Sequence, residues 1–107
     1  MVVLTVSATA RSGKRHELLD TFRQIVEKTR PEKGCHECRL SQDIDHENLI
    51  YLEEEWQDRS RLDEYFRSDI FGALLGAVKL LGKAHDIRIN DGSTAEGLEA
   101  VQSARSI

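Results

Sequence analysis

The spacing of apolar residues changes several times along the chain, and the order of these changes restricts the fold. In the segment from Val2 to Ala10, apolar residues at the even positions alternate with residues such as Thr5, Ser7 and Thr9. This alternation is typical of a β-strand with one buried face. Further strands are predicted from Cys35 to Asp43, from about Leu49 to Trp56 and from His85 to Asn90.

Between these strands, apolar residues recur every three to four positions, as they do along one face of an α-helix. Helices are predicted from Lys14 to about Arg30, within the segment QDRSRLDEYFRS, and from Asp69 to Leu81, where Gly82 follows. The order strand, helix, strand, strand, helices, strand is that of a ferredoxin-like split β-α-β fold. We therefore predict an α+β domain in which helices cover one face of a four-stranded antiparallel sheet.

The third strand, LIYLEEEW, has two unlike faces. One face carries Ile50, Leu52, Glu54 and Trp56, and the other carries Leu49, Tyr51, Glu53 and Glu55. The first face is predicted to contact the helices, which would place one carboxylate among apolar groups. The second face mixes apolar and charged residues, so we expect a second sheet to pack on it. A face exposed to water is the alternative, since antiparallel sheets often have one.

Length and charge suggest the class of protein. The 107 residues are enough for one domain, which we place at residues 1–90, with residues 91–107 as a C-terminal tail that is mobile or reaches a partner subunit. The net charge of −4 gives no general attraction to nucleic acid or to anionic membranes. No apolar run approaches the roughly 20 residues of a membrane span. We expect a cytoplasmic protein that binds neither nucleic acid nor membrane.

The two cysteines, Cys35 and Cys38, form a C-x-x-C motif. Such a motif can be a redox pair or half of a zinc site. Here it opens a predicted strand and not a helix, and residues three apart on a regular strand point to opposite faces. The histidines show no zinc-finger spacing. We therefore interpret both cysteines as structural residues, with thiol redox chemistry as the alternative, and predict no metal site.

The segment KGCHECRLSQDIDHENLIYLEEEWQDRSRLDEYFRSDIF resembles the antibiotic biosynthesis monooxygenase (ABM) domain family. The family pattern has a strand that ends in Glu-Glu-Trp, then a helix opened by Asp, then a Ser-x-x-Phe segment. The matching residues are Glu54, Glu55, Trp56, Asp58, Leu62, Ser68 and Phe71. The resemblance extends over about residues 2–90.

This resemblance implies a homodimeric α/β barrel in which two sheets face each other, with a pocket between sheet and helices in each subunit. Members of the family include oxygenases that act on phenols and quinols without metal or flavin, and haem-degrading enzymes. The segments Val2 to Ala10 and SDIFGALLG lack the asparagine and the histidine of the haem-degrading members. These departures argue against haem degradation. The strand that ends at Trp56 also lacks the asparagine of characterised phenol oxygenases.

The candidate site residues lie on the predicted helix-covered face. Glu54 is a candidate base, because a carboxylate near apolar groups has a raised pKa, but it could instead pair with an arginine at the rim. His85 is the best histidine for proton transfer. Trp56, Tyr65 and Phe66 are candidate walls of a pocket for a small aromatic molecule. We assign Phe22 and Phe71 to the core, since large apolar residues at helical spacing are usually buried.

The predicted function is that of a cofactor-independent monooxygenase of small phenols or quinols. Such substrates can reduce oxygen themselves when they lose a proton, so the protein supplies orientation and a polar environment. The alternative is a non-catalytic module with the same fold that binds a small molecule or a protein partner.

Overall fold

The computed structural model describes residues 1–92 and 95–106. The elements run in the order β1 (Val2–Ala10), α1 (Arg15–Thr29), β2 (Cys35–Gln42), β3 (Leu49–Trp56), α2 (Arg59–Phe66), α3 (Asp69–Leu81), β4 (Gly82–Asn90), β5 (Ala95–Glu96) and α4 (Leu98–Arg105). Four of the strands form the predicted antiparallel sheet, and the short β5 adds to its edge in the order β2-β3-β1-β4-β5. The α+β ferredoxin-like fold is confirmed.

One face of the sheet is buried beneath the helices. The residues of β1 alternate between buried and half-buried, and on β3 the even-numbered positions from Ile50 to Trp56 are all buried. Phe22 of α1 and Phe71 of α3 are fully buried in the same core, as the helical spacing predicts. The apolar residues that alternate along the strands and those that recur along the helices therefore form a single core between sheet and helices.

Helix α2 is fixed at its start by a side-chain cap. The carboxylate of Asp58 accepts a hydrogen bond from the backbone N–H of Arg61 at 2.9 Å. Ser68 caps α3 in the same way, accepting from the N–H of Phe71 at 3.2 Å. Such caps satisfy N–H groups that the first turn of a helix leaves unpaired. They fix the residues at which α2 and α3 begin.

The described residues after Asn90 contain a strand and a helix, where the sequence predicted a tail. Residues 95–106 form β5 and α4, and α4 packs against α2 and β4 of the same chain. Three small or apolar residues of α4 are buried, namely Ala100, Val101 and Ala104. Ser93, Thr94 and Ile107 of the predicted tail lie outside the described residues. The sequence indicated only a weak helical turn here, because Leu98 and Val101 alone form a narrow apolar face.

None of the described helices combines the length and the apolar character that crossing a membrane requires.

Candidate functional site

The carboxylate of Glu54 is fully buried on the helix-covered face of the sheet. The indole Nε1 of Trp56 donates to Glu54 Oε1 at 3.0 Å, and the hydroxyl of Tyr65 donates to Glu54 Oε2 at 3.0 Å. No ion pair to Glu54 occurs among the described residues. The expectation that an arginine at the rim pairs with Glu54 is therefore wrong, because α2 covers this position and supplies a neutral donor instead.

The hydrogen bonds continue from Tyr65 to helix α1. Thr29, at the end of α1, is fully buried, and its hydroxyl lies 3.2 Å from that of Tyr65, with either oxygen able to donate. When Glu54 is ionised, Tyr65 donates to it and can accept from Thr29. When Glu54 is protonated, the Tyr65 oxygen can accept a hydrogen bond from the carboxyl O–H and donate one to Thr29 instead. The chain of two hydroxyls can thus accommodate both charge states of Glu54.

Burial decides the ionisation of this group of side chains. It raises the pKa of Glu54 to about 7, while hydrogen bonds from Trp56, Tyr65 and Cys38 act in the opposite direction. The pKa of Tyr65 is raised well above its usual value, by burial first and then by the Glu54 charge. The carboxyl group therefore exchanges its proton near neutral pH, whereas the phenol keeps its own.

Aromatic rings surround the carboxylate on the helix side. The ring centroids of Trp56 and Tyr65 are 4.6 Å apart, and Tyr65 meets Phe71 edge-on with centroids 5.3 Å apart. Phe66 packs against Phe71 at 5.0 Å and is fully buried. Such offset and edge-on contacts are the favourable geometries of aromatic pairs. They hold the Tyr65 ring in one position over Glu54.

A cleft reaches this cluster from the surface. Its volume is about 180 Å³, and it is lined by Glu32, Lys33, Trp56, Arg61, Glu64, Tyr65 and Ser68. Because Trp56 and Tyr65 are almost completely buried, they form its inner end, and charged side chains form its mouth. The volume is below the roughly 300 Å³ at which pockets for drug-sized ligands begin. Of the predicted pocket walls, Trp56 and Tyr65 line the cleft and Phe66 belongs to the core.

The structure does not bring His85 to this cluster. On opposite edges of β1, Glu54 pairs with Leu4 while His85 pairs with Ala8. Those four residues of extended strand correspond to roughly 13 Å along the sheet. The His85 side chain is exposed at the start of β4. We therefore leave His85 out of the candidate site, since β4 presents it at the wrong end of the sheet.

The two cysteines lie on the same face, contrary to the prediction from regular strand spacing. A register shift in β2 pairs Cys35 with Trp56 and Cys38 with Glu54, so both point toward the helices. Burial, followed by the Glu54 charge, raises the pKa of Cys35 to about 11 and raises that of Cys38 further. Both are free thiols. Raised pKa values disfavour the reactive thiolate and support the structural interpretation.

Metal-binding geometry is not found in the described ranges. Within residues 1–92 and 95–106, no three or more His, Cys, Asp or Glu side chains are grouped so that they could hold a metal ion.

The family model for antibiotic biosynthesis monooxygenases matches residues 1–76, which is most of the chain. The chain belongs to the ABM family. The match includes β1 to α2 and most of α3, and so contains every residue of the Glu54 cluster. No curated protein sequence matches this ABM protein.

Solved structures show the same fold. A structure described as an antibiotic biosynthesis monooxygenase aligns with a TM-score of 0.78 at 23% identity, covering 88% of this chain and 100% of its own. The protein PA3566 from Pseudomonas aeruginosa aligns with a TM-score of 0.76 at 26% identity, covering 83% and 90%. Rv0793 from Mycobacterium tuberculosis aligns with a TM-score of 0.76 at 22% identity, covering 87% and 98%. These solved structures share the fold of this chain, and the family model shows that the chain belongs to the ABM family.

Two members of the cluster were not identified as site residues from the ABM sequence. Thr29 was not singled out from the sequence, and Cys38 was interpreted as a structural residue. The available signal was a hydroxyl residue on the otherwise apolar face formed by Leu18, Phe22 and Val26. A buried polar residue requires a hydrogen-bonding partner, and that requirement could have pointed to Thr29.

Proposed function

We propose that this ABM protein is a monooxygenase that oxidises a small phenol or quinol without a metal or an organic cofactor. The observation that carries the proposal is the hydrogen bond from Tyr65 to the buried carboxylate of Glu54. A carboxyl group with a pKa of about 7 is half ionised near neutral pH, which is the condition that favours a general base.

Proton removal is the step that this arrangement supports. A substrate hydroxyl that reaches the Tyr65 oxygen gives it a proton, while Tyr65 passes its own proton to Glu54. Tyr65 stays neutral overall, in agreement with its raised pKa. The resulting phenolate is electron-rich enough to react with molecular oxygen.

The overall reaction needs no further reductant. A phenol with a free ring position gives four electrons to O₂, so that one oxygen atom becomes the new carbonyl of a quinone and the other leaves as water. The two hydrogens of that water come from the substrate hydroxyl and from the ring carbon. Glu54 returns its proton to the reduced oxygen in the second half of the reaction.

The cleft favours a substrate with a single ring. It offers about 180 Å³, and its inner end consists of Trp56 and Tyr65. An aromatic substrate can stack on these rings, while the remaining charged residues stay in contact with water at the mouth. Exclusion of water at the inner end strengthens the hydrogen bonds through which the proton passes from the substrate hydroxyl to Tyr65 and from Tyr65 to Glu54.

Oxygen uptake tests the proposal. The purified protein is mixed with a panel of single-ring phenols and quinols, without added cofactor, in an oxygen-electrode cell. We expect one substrate class to give uptake that Glu54→Gln abolishes and that Tyr65→Phe reduces by about 10²-fold or more, the contribution typical of positioned proton transfer. Glu53→Gln, on the exposed face of the same strand, is the matched control and should keep full activity.

The alternative is a non-catalytic binding module, and one observation favours it. Every buried side-chain nitrogen and oxygen in the described residues already has a hydrogen-bond partner, as in a purely structural network. Saturable quenching of Trp56 fluorescence by a phenol, with no oxygen uptake in the wild type, would identify a binding module. Uptake that survives Glu54→Gln would instead show that oxidation takes place without this carboxylate.

We also propose that the protein is a homodimer. Val3, Leu49 and Tyr51 are only half-buried on the sheet face that no helix covers, where they are interspersed with charges. A second copy of this face would remove them from water. Sedimentation should give a dimer at micromolar concentration, and Tyr51→Glu should weaken it by adding a charge next to Glu53. A wild-type monomer at that concentration would contradict the proposal.

A further inference from the structure

The C-terminal segment contacts both ends of helix α2, the helix that carries Tyr65. At the start of α2, the guanidinium of Arg59 forms an ion pair with Glu96 of β5 and a second one with Asp63 at 3.0 Å. At the end of α2, the guanidinium of Arg105 of α4 donates to the backbone carbonyl of Phe66. The segment from Glu96 to Arg105 therefore spans the whole length of α2.

The second contact is made at a position where α2 needs a partner. The last carbonyl groups of a helix accept no hydrogen bond from within the helix, so they need a donor from elsewhere. The Phe66 carbonyl is one of these, and it follows Tyr65 directly in the sequence. A donor at this carbonyl restricts the last turn of α2, and with it the direction of the Tyr65 side chain.

Helix α3 leaves room for the Arg105 side chain. A Cβ atom at Gly72 would lie 3.2 Å from Arg105 Nη2, which is closer than most carbon contacts allow. A Cβ atom at Gly76, one turn later on α3, would have no other atom within 4 Å. The apolar residues Ala100 and Val101 bury α4 against the protein, so Arg105 extends from an anchored helix.

We propose that Arg105 is a positioning residue, which holds the end of α2 so that the Tyr65 hydroxyl stays within hydrogen-bonding distance of Glu54. Its consequence for catalysis rests on the proposed function, but the positioning itself does not. Arg105 lies on α4, beyond the residues that the family model matches. The ABM site of this chain is thus completed by an element outside the matched region.

Carboxyl-carbon NMR tests the inference without any substrate. The titration of Glu54 is followed by its ¹³C shift, with Glu54→Gln used for assignment. The groups that face Glu54 are Tyr65 of α2, Trp56 of β3 and Cys38 of β2, with Cys35 beside them. Loss of the Tyr65 donor in Tyr65→Phe should raise the midpoint by roughly one pH unit, the effect of one hydrogen bond to a charged group.

The decisive variant is Arg105→Met, which keeps an apolar stem of similar length but removes the donors. We expect it to raise the Glu54 midpoint by roughly half a unit in the wild-type background, and by nothing in the Tyr65→Phe background. Arg105→Lys should restore the wild-type midpoint, because lysine keeps a donor. Arg23→Ala, an exposed arginine on α1, is the control and should leave the midpoint unchanged.

Two results would overturn the inference. One is an unchanged midpoint in Arg105→Met; the other is an equal shift in both backgrounds, which would show that Arg105 acts on Glu54 by a route other than Tyr65. If Arg105→Met does not fold, Gly72→Ala, which crowds the guanidinium and keeps the donors, replaces it in the same double comparison. Because no substrate is present, absent oxygen uptake would contradict the proposed function and leave this result intact.

Discussion

The two faces of β3 place identical side chains in opposite environments. Glu53 is exposed and forms an ion pair with Arg39 at 3.6 Å, whereas Glu54, the next residue, is fully buried and hydrogen-bonded only by neutral groups. An exposed ion pair contributes little to stability, since water screens both charges. Burial raises the pKa of Glu54 to about 7, which is the property that the proposed general base requires. The two glutamates therefore differ because they lie on different faces of β3, although the residue type is the same.

The largest expected difference between the two faces comes from their aromatic residues. Trp56→Ala should destabilise the protein by about 3–5 kcal/mol, because it removes a buried indole and the Nε1 donor of Glu54. Tyr51→Ala, on the opposite face, should cost less, since Tyr51 is only half-buried within its own chain and a dimer interface adds only part of the missing contacts. Urea denaturation of both variants measures the difference. Equal losses would mean that the open face is buried as fully as the core, as in a tight dimer.

A second test measures how the ionisation of Glu54 makes the free energy of unfolding depend on pH. The pKa of Glu54 in the folded protein, about 7, is higher than its usual value of 4.5, so the native state holds a proton that the unfolded state has released between these two pH values. Its contribution to stability is complete below about pH 4.5 and is lost as the pH rises through 7.

This loss should be of the order of 3 kcal/mol between pH 4.5 and 8. Glu54→Gln should remove it, because the amide does not ionise and can still accept from Trp56 and donate to Tyr65. Glu53→Gln should keep the wild-type pH dependence. The free energy of unfolding at pH 5 and pH 8 gives the comparison. A wild type whose pH dependence matches that of Glu54→Gln would show that the carboxyl ionises as it does in water.

A smaller effect is expected from the hydroxyl of Tyr65. Tyr65→Phe keeps the ring contacts with Trp56 and Phe71 but removes one donor from Glu54 and one partner from Thr29. We expect a loss of about 1–3 kcal/mol at pH 8, where Glu54 is ionised, and a smaller loss at pH 5. Thermal unfolding at the two pH values tests this. A loss that is independent of pH would argue against the hydrogen bond to the ionised carboxylate.

The smallest expected effect concerns two glycines of α3, of which Gly72 lies beside Arg105 and Gly76 has open space around it. Gly76→Ala should stabilise the protein by about 0.5–1 kcal/mol, because alanine is the better helix former and the position is open. Gly72→Ala should stabilise it less or destabilise it, since its methyl group approaches Arg105. Denaturation curves of the two variants and the wild type give the difference in the free energy of unfolding. An equal gain in both variants would show that Arg105 moves freely.

Much of the fold could be predicted from local patterns. The bounds of β1, β3 and α3 agree with the alternating and helical spacing, and the buried faces of β1 and β3 are those that the spacing predicts. These features depend on burial of side chains a few positions apart, so the sequence alone specifies them. Glu54, Trp56 and Tyr65 could be chosen as candidates for the same reason.

The remaining features depend on contacts between distant segments. The register shift at the start of β2 turns both cysteines toward the helices, and the packing of α1 against the sheet brings Thr29 to Tyr65, 36 positions away. Arg105 reaches α2 over a separation of 39 positions. No local pattern encodes such contacts, because they form only when complete elements pack together. Sequence thus determined which face of β3 is buried, and tertiary structure decided which donors meet Glu54 there.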